Sequence, residues 1–164
     1  MLVASAFAGT LAEVSAKPAD IVITSNGGYP LDQNVYQHVK CLSSAEATCR
    51  KGGVLIACAE LSDGHGSDDM YRWLCGGARE AMDRIMGIGR ESTVPDQWAT
   101  QIMARIMLEH KVVFVTGPRN HAMLKDMGFI AVGTAGEAMA EAESIVGAAS
   151  KITVVPDGVA AIVR

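Results

Sequence analysis

Five short runs of aliphatic and β-branched residues punctuate the chain: DIVIT (20–24), GVLIACA (53–59), KVVFVT (111–116), FIAVG (129–133) and ITVVP (152–156). Each is apolar at successive rather than alternate positions, the pattern of strands buried on both faces in a parallel sheet covered by helices. Between the runs, apolar residues recur at helical spacing and predict helices near 33–42, 43–51, 68–75, 78–87, 95–110, 120–127 and 135–148. Strand and helix thus alternate, which predicts an α/β fold: a three-layer α/β/α sandwich with a mostly parallel sheet, Rossmann-like in the loose sense. There is no internal repeat or long linker, so one domain over 1–164 is expected. The opening MLVASAFAGTLAEVSA is apolar but lacks the basic start of a secretory signal, and it reads as a native strand or as the remnant of a truncation. No apolar run approaches the ~18 residues that span a bilayer, so no membrane partner is expected.

In sheets of this kind ligands gather where strands run into loops at their carboxyl ends. Three loops qualify: TSNGGYPLDQN (24–34), ELSDGHGSDD (60–69) and TGPRNH (116–121). After the first, Gln33, Tyr36, Gln37 and Lys40 fall at spacing 0, 3, 4, 7 and share one helix face. Val35, His38, Val39 and Leu42 form the opposite, core-facing stripe, so His38 reads as a packed histidine. The polar face is either an ordinary solvated surface or a site. Gly27 and Gly28 ahead of it would let backbone come close to a bound group. Chemically, the ammonium of Lys40 with the donors of Gln37 and Tyr36 suits a small carboxylate and its neighbouring oxygen. No nucleophile and base accompany them, so this face binds and does not by itself catalyse.

The other loops are less pointed. Asp63 reads as a turn residue and His65 as a cleft-lining candidate, while Ser67, Asp68 and Asp69 suit the start of the next helix and would repel an anion. In VPDQW, Pro95 and Asp96 suit a first turn, with Trp98 either a packing anchor or a substrate contact. Arg119 and His121 are placed to touch an anion, and nothing sharper follows.

Composition narrows the field. A formal net charge of -4 without a basic stripe lacks the electrostatic footprint of a nucleic-acid partner. Cys41, Cys49, Cys58 and Cys75 contain no C-x-x-C pair, so no zinc framework or redox motif is spelled, and free thiols in a reducing cytoplasm are expected. No metal site is expected in this chain.

The segment DIVITSNGGYPLDQNVYQHVK, with LSSAEAT, GGVLIACAELSDGHG and VPDQWATQIMARI, closely resembles the C-terminal domain of the nickel-pincer-nucleotide-dependent lactate racemase family. The resemblance is strong from Pro18 to Ile106 and looser to the carboxyl end. It implies a two-domain enzyme in which an N-terminal domain carries the lysine-tethered nickel-pincer nucleotide and the acid-base histidines. The pincer takes a hydride from a 2-hydroxy acid and returns it to the other face. It further implies that Tyr36, Gln37 and Lys40, with Trp98 as the aromatic match, contact the substrate. The cofactor-anchoring residues have no match here, so the chain is expected to hold no cofactor, to need the N-terminal domain as partner, and to be inactive alone. As an excised domain it would expose apolar surface and form homo-oligomers. Two readings compete with a half-site of a 2-hydroxy-acid racemase or epimerase: a freestanding module for a small organic anion, and a structural domain without catalysis.

Overall fold

The computed structural model describes residues 2–164. In chain order the elements are α1 (Leu2–Ala12), β1 (Glu13–Val14), β2 (Ala19–Ser25), α2 (Val35–Glu46), β3 (Cys49–Cys58), α3 (Asp68–Leu74), α4 (Ala78–Met86), α5 (Gln97–Glu109), β4 (Lys111–Val115), α6 (His121–Asp126), β5 (Ile130–Val132), α7 (Ala135–Val146), β6 (Ile152–Val155) and β7 (Ile162–Val163). The five apolar runs of the sequence are the five strands of a wholly parallel sheet in the order β5-β4-β3-β2-β6. A separate two-stranded ribbon pairs β1 with β7.

Register explains why the runs are apolar on both faces. Val22, Leu55, Ala57, Val112 and Phe114 point to the side covered by α2 through α6. Ile21, Val54, Ile56 and Val113 point to the other side, where Ala138 and Ala142 of α7 pack on them. The small residues of α7 let that helix lie close to the sheet. Its start is fixed by a capping box in which Thr134 and Glu137 satisfy each other's backbone N–H groups.

Two expectations fail. The opening segment is helical over Leu2–Ala12, and only Glu13 and Val14 are extended. Its runs of Ala and Leu favour helix once the segment is not drawn into the sheet. Residues 43–51 are not a second helix. Residues 43–46 continue α2, and 49–51 open β3, where Cys49 pairs with Ala19. Sheet pairing overrides local helix propensity here. The bulge it creates depends on Gly53, where a Cβ would lie 2.6 Å from the Asp20 carbonyl.

All four cysteines are unpaired among the described residues. Burial pushes the Cys41 and Cys49 thiols up to about 12, whereas Cys75 is exposed. A disulfide-exchange reagent is therefore expected to modify Cys75 first in the native protein and to reach Cys41 and Cys49 only on unfolding. Mass mapping of a timed reaction checks the order, and early labelling of Cys41 would contradict it.

Candidate functional site

The carboxyl ends of the central strands are level: Ser25 pairs with Cys58, and Cys58 with Val115. The three loops singled out in the sequence therefore rise from one edge of the sheet. The gap between β2 and β6, where the strand order reverses, is closed. Asn26 bridges to Asp157, Gly158 N–H donates to the Ser25 carbonyl at 3.0 Å, and Ser44 Oγ donates to the Gly158 carbonyl at 2.6 Å. Gly27 is needed for this closure, since a Cβ there would meet the Asp157 carboxylate at 3.1 Å. Its close approach here is to the chain's own aspartate. Gly28 has open space around its Cα, and its carbonyl accepts from Leu31 and Asp32.

With the switch point sealed, the open surface is the start of α2, and the second loop builds it. A helix begins with N–H groups that lack intrahelical partners. Here the Val35 N–H donates to the Gly64 carbonyl at 3.0 Å and the Tyr36 N–H to the His65 carbonyl at 3.1 Å. The Gln37 N–H donates to the Oδ1 of Asn34, the N-cap, at 3.0 Å. Asn34 Nδ2 in turn donates to Asp63 Oδ2 at 2.9 Å, and the Asp63 N–H donates to the Gln33 carbonyl at 2.7 Å. Loop 60–69 is thus the cap of the helix that presents the candidate residues.

Gln33 is not on the helix face predicted for it. It lies in the loop before the N-cap, because Asn34, not Gln33, takes the capping position. Tyr36, Gln37 and Lys40 do share the face. Lys40 Nζ donates to Gln37 Oε1 at 2.6 Å. An ammonium only donates, so the Gln37 amide oxygen must face Lys40 and its NH2 group must face away. The pair therefore offers hydrogen-bond donors outward, which fits an anion. Tyr36 meets Trp98 edge to face, with ring centroids 6.2 Å apart. Trp98 is 54% exposed and stands beside the polar face. Burial, and next the Asp96 carboxylate, raise the Tyr36 phenol above its usual range.

His65 meets the first turn of α2 through its carbonyl. Its ring stacks on Tyr71 at 4.9 Å, and its Nδ1 accepts from the Ser67 N–H at 3.2 Å. Arg119 is taken by Glu60 at 2.8 Å, and His121 Nε2 is 3.1 Å from the Thr116 carbonyl, so neither is placed for an incoming anion. Among the described residues no three His, Cys, Asp or Glu side chains converge as a metal site requires.

His38 is fully buried below this surface, donating from Nδ1 to the Asn34 carbonyl at 2.9 Å, with Nε2 unpartnered. Burial lowers its pKa, and burial likewise lowers that of His110 at the far end of the sheet. Each therefore binds a proton less readily in the native state than in the unfolded chain, whose histidines protonate as the pH falls below about 6.5. Stability is therefore expected to drop with pH below that point, by at most about 1.4 kcal/mol per unit for each histidine, with no contribution from them above it. Urea midpoints at pH 7.5 and 5.5 measure this. Equal midpoints would show that the histidines titrate alike in both states.

Sequence reasoning missed two residues. Asn34 carried a visible signal, since an Asn before an amphipathic run is a helix-start residue. Asp96 suits a first turn by its sequence, but it occupies the N-cap position in a left-handed conformation (φ 61°, ψ 0°) and its side chain makes no cap bond to α5. Its Oδ2 accepts instead from Ser67 Oγ at 2.8 Å.

Comparison with known proteins identifies the family of the chain. Residues 14–163 match the family described as lactate racemase C-terminal domain. The chain is 52% identical over 160 residues to a lactate racemase of Thermoanaerobacterium thermosaccharolyticum, covering 96% of this chain and 38% of that protein. It is 42% identical over 160 residues to a lactate racemase of Lactiplantibacillus plantarum, with the same coverages. The solved lactate racemase apoprotein from T. thermosaccharolyticum superimposes with a TM-score of 0.96 at 52% identity, over 99% of this chain and 40% of that one.

Proposed function

The chain belongs to the lactate racemase C-terminal domain family, and from that premise we propose that it is the substrate-closing domain of a 2-hydroxy-acid racemase or epimerase. It spans 38% of the length of the curated relatives it matches. The remainder of the enzyme is a cofactor-bearing N-terminal domain in this reading. A phenol, an amide and an ammonium are not a nickel-ligand set, so the residues of this chain do not fit a nickel-pincer nucleotide. The hydride chemistry implied by the sequence resemblance belongs to the companion domain. Phe7, Leu11, Val14, Ile152 and Val154 are exposed apolar residues of the kind that a companion, or a second copy of the chain, covers. The free thiols suit a reducing cytoplasm. No helix among the described residues is long and apolar enough to cross a membrane.

The observation that carries the reading is the Lys40–Gln37 pair set beside Tyr36 and Trp98 on one open surface. The two donors hold the carboxylate of a lactate-type acid, Tyr36 engages the neighbouring hydroxyl, and Trp98 excludes water from that side. No group here takes a hydride from carbon or a proton from the hydroxyl, so the chain binds and orients while the companion reacts.

Lys40→Met tests the assignment in the chain combined with a nickel-loaded N-terminal domain. Losing a charge-assisted contact costs about 1.5–3 kcal/mol, so kcat/KM for lactate interconversion, followed by chiral analysis, is expected to fall roughly 10- to 150-fold. Lys40 is exposed, so stability should change by less than about 0.5 kcal/mol. Turnover by the chain alone, or an unaltered kcat/KM in the variant, would sink the proposal.

A further inference from the structure

We propose that Asp63 is a positioning residue of the site: by fixing which way the Asn34 amide faces, it holds the first turn of α2 and with it the backbone of Tyr36 and Gln37. The inference rests on reading Tyr36, Gln37 and Lys40 as substrate contacts.

The start of α2 is laced to the second loop bond by bond. The Leu61 N–H donates to the Asp32 carbonyl at 3.1 Å, and the Asp63 N–H to the Gln33 carbonyl at 2.7 Å. In the other direction the Val35 and Tyr36 N–H groups donate to the Gly64 and His65 carbonyls at 3.0 and 3.1 Å. Between these two sets stands a side-chain link, from Asn34 Nδ2 to Asp63 Oδ2 at 2.9 Å. Asn34 is buried and makes two further bonds, its Oδ1 accepting from the Gln37 N–H at 3.0 Å and its carbonyl from His38 Nδ1 at 2.9 Å.

An N-cap needs only an acceptor, which serine or aspartate supplies as well as asparagine does. Asparagine adds a donor at the other edge of its amide, and half a turn about the last side-chain bond would exchange the two. The turned amide would set its NH2 group against the Gln37 N–H, donor against donor. A carboxylate only accepts, so Asp63 favours the orientation in which Nδ2 faces it and Oδ1 faces the helix. Asp63 does this from an exposed position, where its own backbone is tied to the residue before the cap.

A helix leaves its first N–H groups without intrahelical partners, and those of Val35, Tyr36 and Gln37 are all taken here by the loop and by Asn34. Two of the three belong to site residues, so the direction in which the phenol and the amide leave the helix depends on the loop. An incoming carboxylate also finds these N–H groups occupied, and is left with the side-chain donors of Lys40 and Gln37.

Exchanging the two side chains tests the assignment. Asp63→Asn keeps an oxygen that accepts from Asn34 Nδ2, whereas Asp63→Ala removes the acceptor. Asn34→Asp alone sets two carboxylates face to face. Asn34→Asp together with Asp63→Asn restores each bond with the roles reversed, since the carboxylate at the cap accepts both from the Gln37 N–H and from the new amide.

The first readout is hydrogen exchange of the Gln37 amide in this chain, referred to the amides of β3 as the measure of overall stability. Asp63→Ala and Asn34→Asp are expected to speed it by roughly tenfold relative to β3, and an unmoved Gln37 amide overturns the proposal. The second is kcat/KM for lactate interconversion by the chain combined with its nickel-loaded companion. Asp63→Ala and Asn34→Asp are expected to lose roughly tenfold, Asp63→Asn less than about threefold, and the double variant to recover most of what Asn34→Asp loses. Equal losses in Asp63→Ala and Asp63→Asn, or a double variant no better than Asn34→Asp, overturn the role of the amide's orientation. Absence of turnover in the wild-type combination overturns the racemase reading, while the exchange rates still decide whether Asp63 holds the start of α2.

Discussion

Alanine at Phe114 is expected to lower the stability of the protein by about 3–5 kcal/mol, the range found when a large buried aromatic is truncated. Phe114 sits in β4 with no exposed surface, and its ring meets His38 edge to face at 5.5 Å and Phe129 at 5.2 Å. It therefore joins the sheet to the site helix on one side and to the α6–β5 connection on the other. Close-packed interiors collapse only partly around a deletion, so the loss contains both the transfer of the ring and the cavity left behind. Against a typical total of 5–15 kcal/mol, that brings the protein near its folding threshold. Phe114→Leu keeps most of the volume and should lose far less. Urea unfolding of both variants, with the m-value checked for constancy, gives the numbers. A loss below about 1.5 kcal/mol for alanine would mean that the ring is not the keystone its contacts suggest.

The legibility of the fold follows from the same packing. Five parallel strands buried on both faces must be apolar throughout, so their sequence runs coincide with the observed strands to within a few residues. Where the outcome depended on partners distant in sequence, the chain gave no local sign. Residues 49–51 look helical, but Ala19, thirty residues upstream, pairs with Cys49 and holds them extended. The opening segment looks strand-like, yet over 2–12 it has no strand of the main sheet to join and is helical.

The site divides along the same line. Tyr36, Gln37 and Lys40 were legible because helical spacing alone places them together, and His38 because the same spacing turns it inward. Lys40 holding the Gln37 oxygen is local too, three residues apart. What closes the switch point, what the second loop gives to the start of α2, and where Asp96 points are contacts over 29 to 133 residues of separation. Gly27 illustrates the difference. A glycine before a helix announces that something comes close, and only the folded chain shows that it is Asp157.

Gly66→Ala is expected to damage both stability and site, and comparison with Gly64→Ala separates the causes. Both glycines have positive φ, at +72° and +59°. An alanine forced into that region is strained by about 1–2 kcal/mol in either place. Their surroundings differ. A Cβ at position 64 would meet only the flexible Met123 sulfur at 3.6 Å, whereas at position 66 it would collide with the side-chain amide of Asn34. That amide is the N-cap of α2 and the partner of Asp63, and it is buried, so it cannot move aside without giving up both bonds. Loss of a cap of this kind adds about 1–2 kcal/mol, for a total of about 2–4 kcal/mol at Gly66. Tyr36 and Gln37 lie in the turn that the cap secures, so kcat/KM of the combined enzyme should fall with it, while Gly64→Ala loses stability alone. Equal destabilisation by the two alanines would mean that the loop yields without disturbing Asn34. The site helix would then be held by its packing on the sheet, through Val35, His38, Val39 and Leu42, and not by the cap.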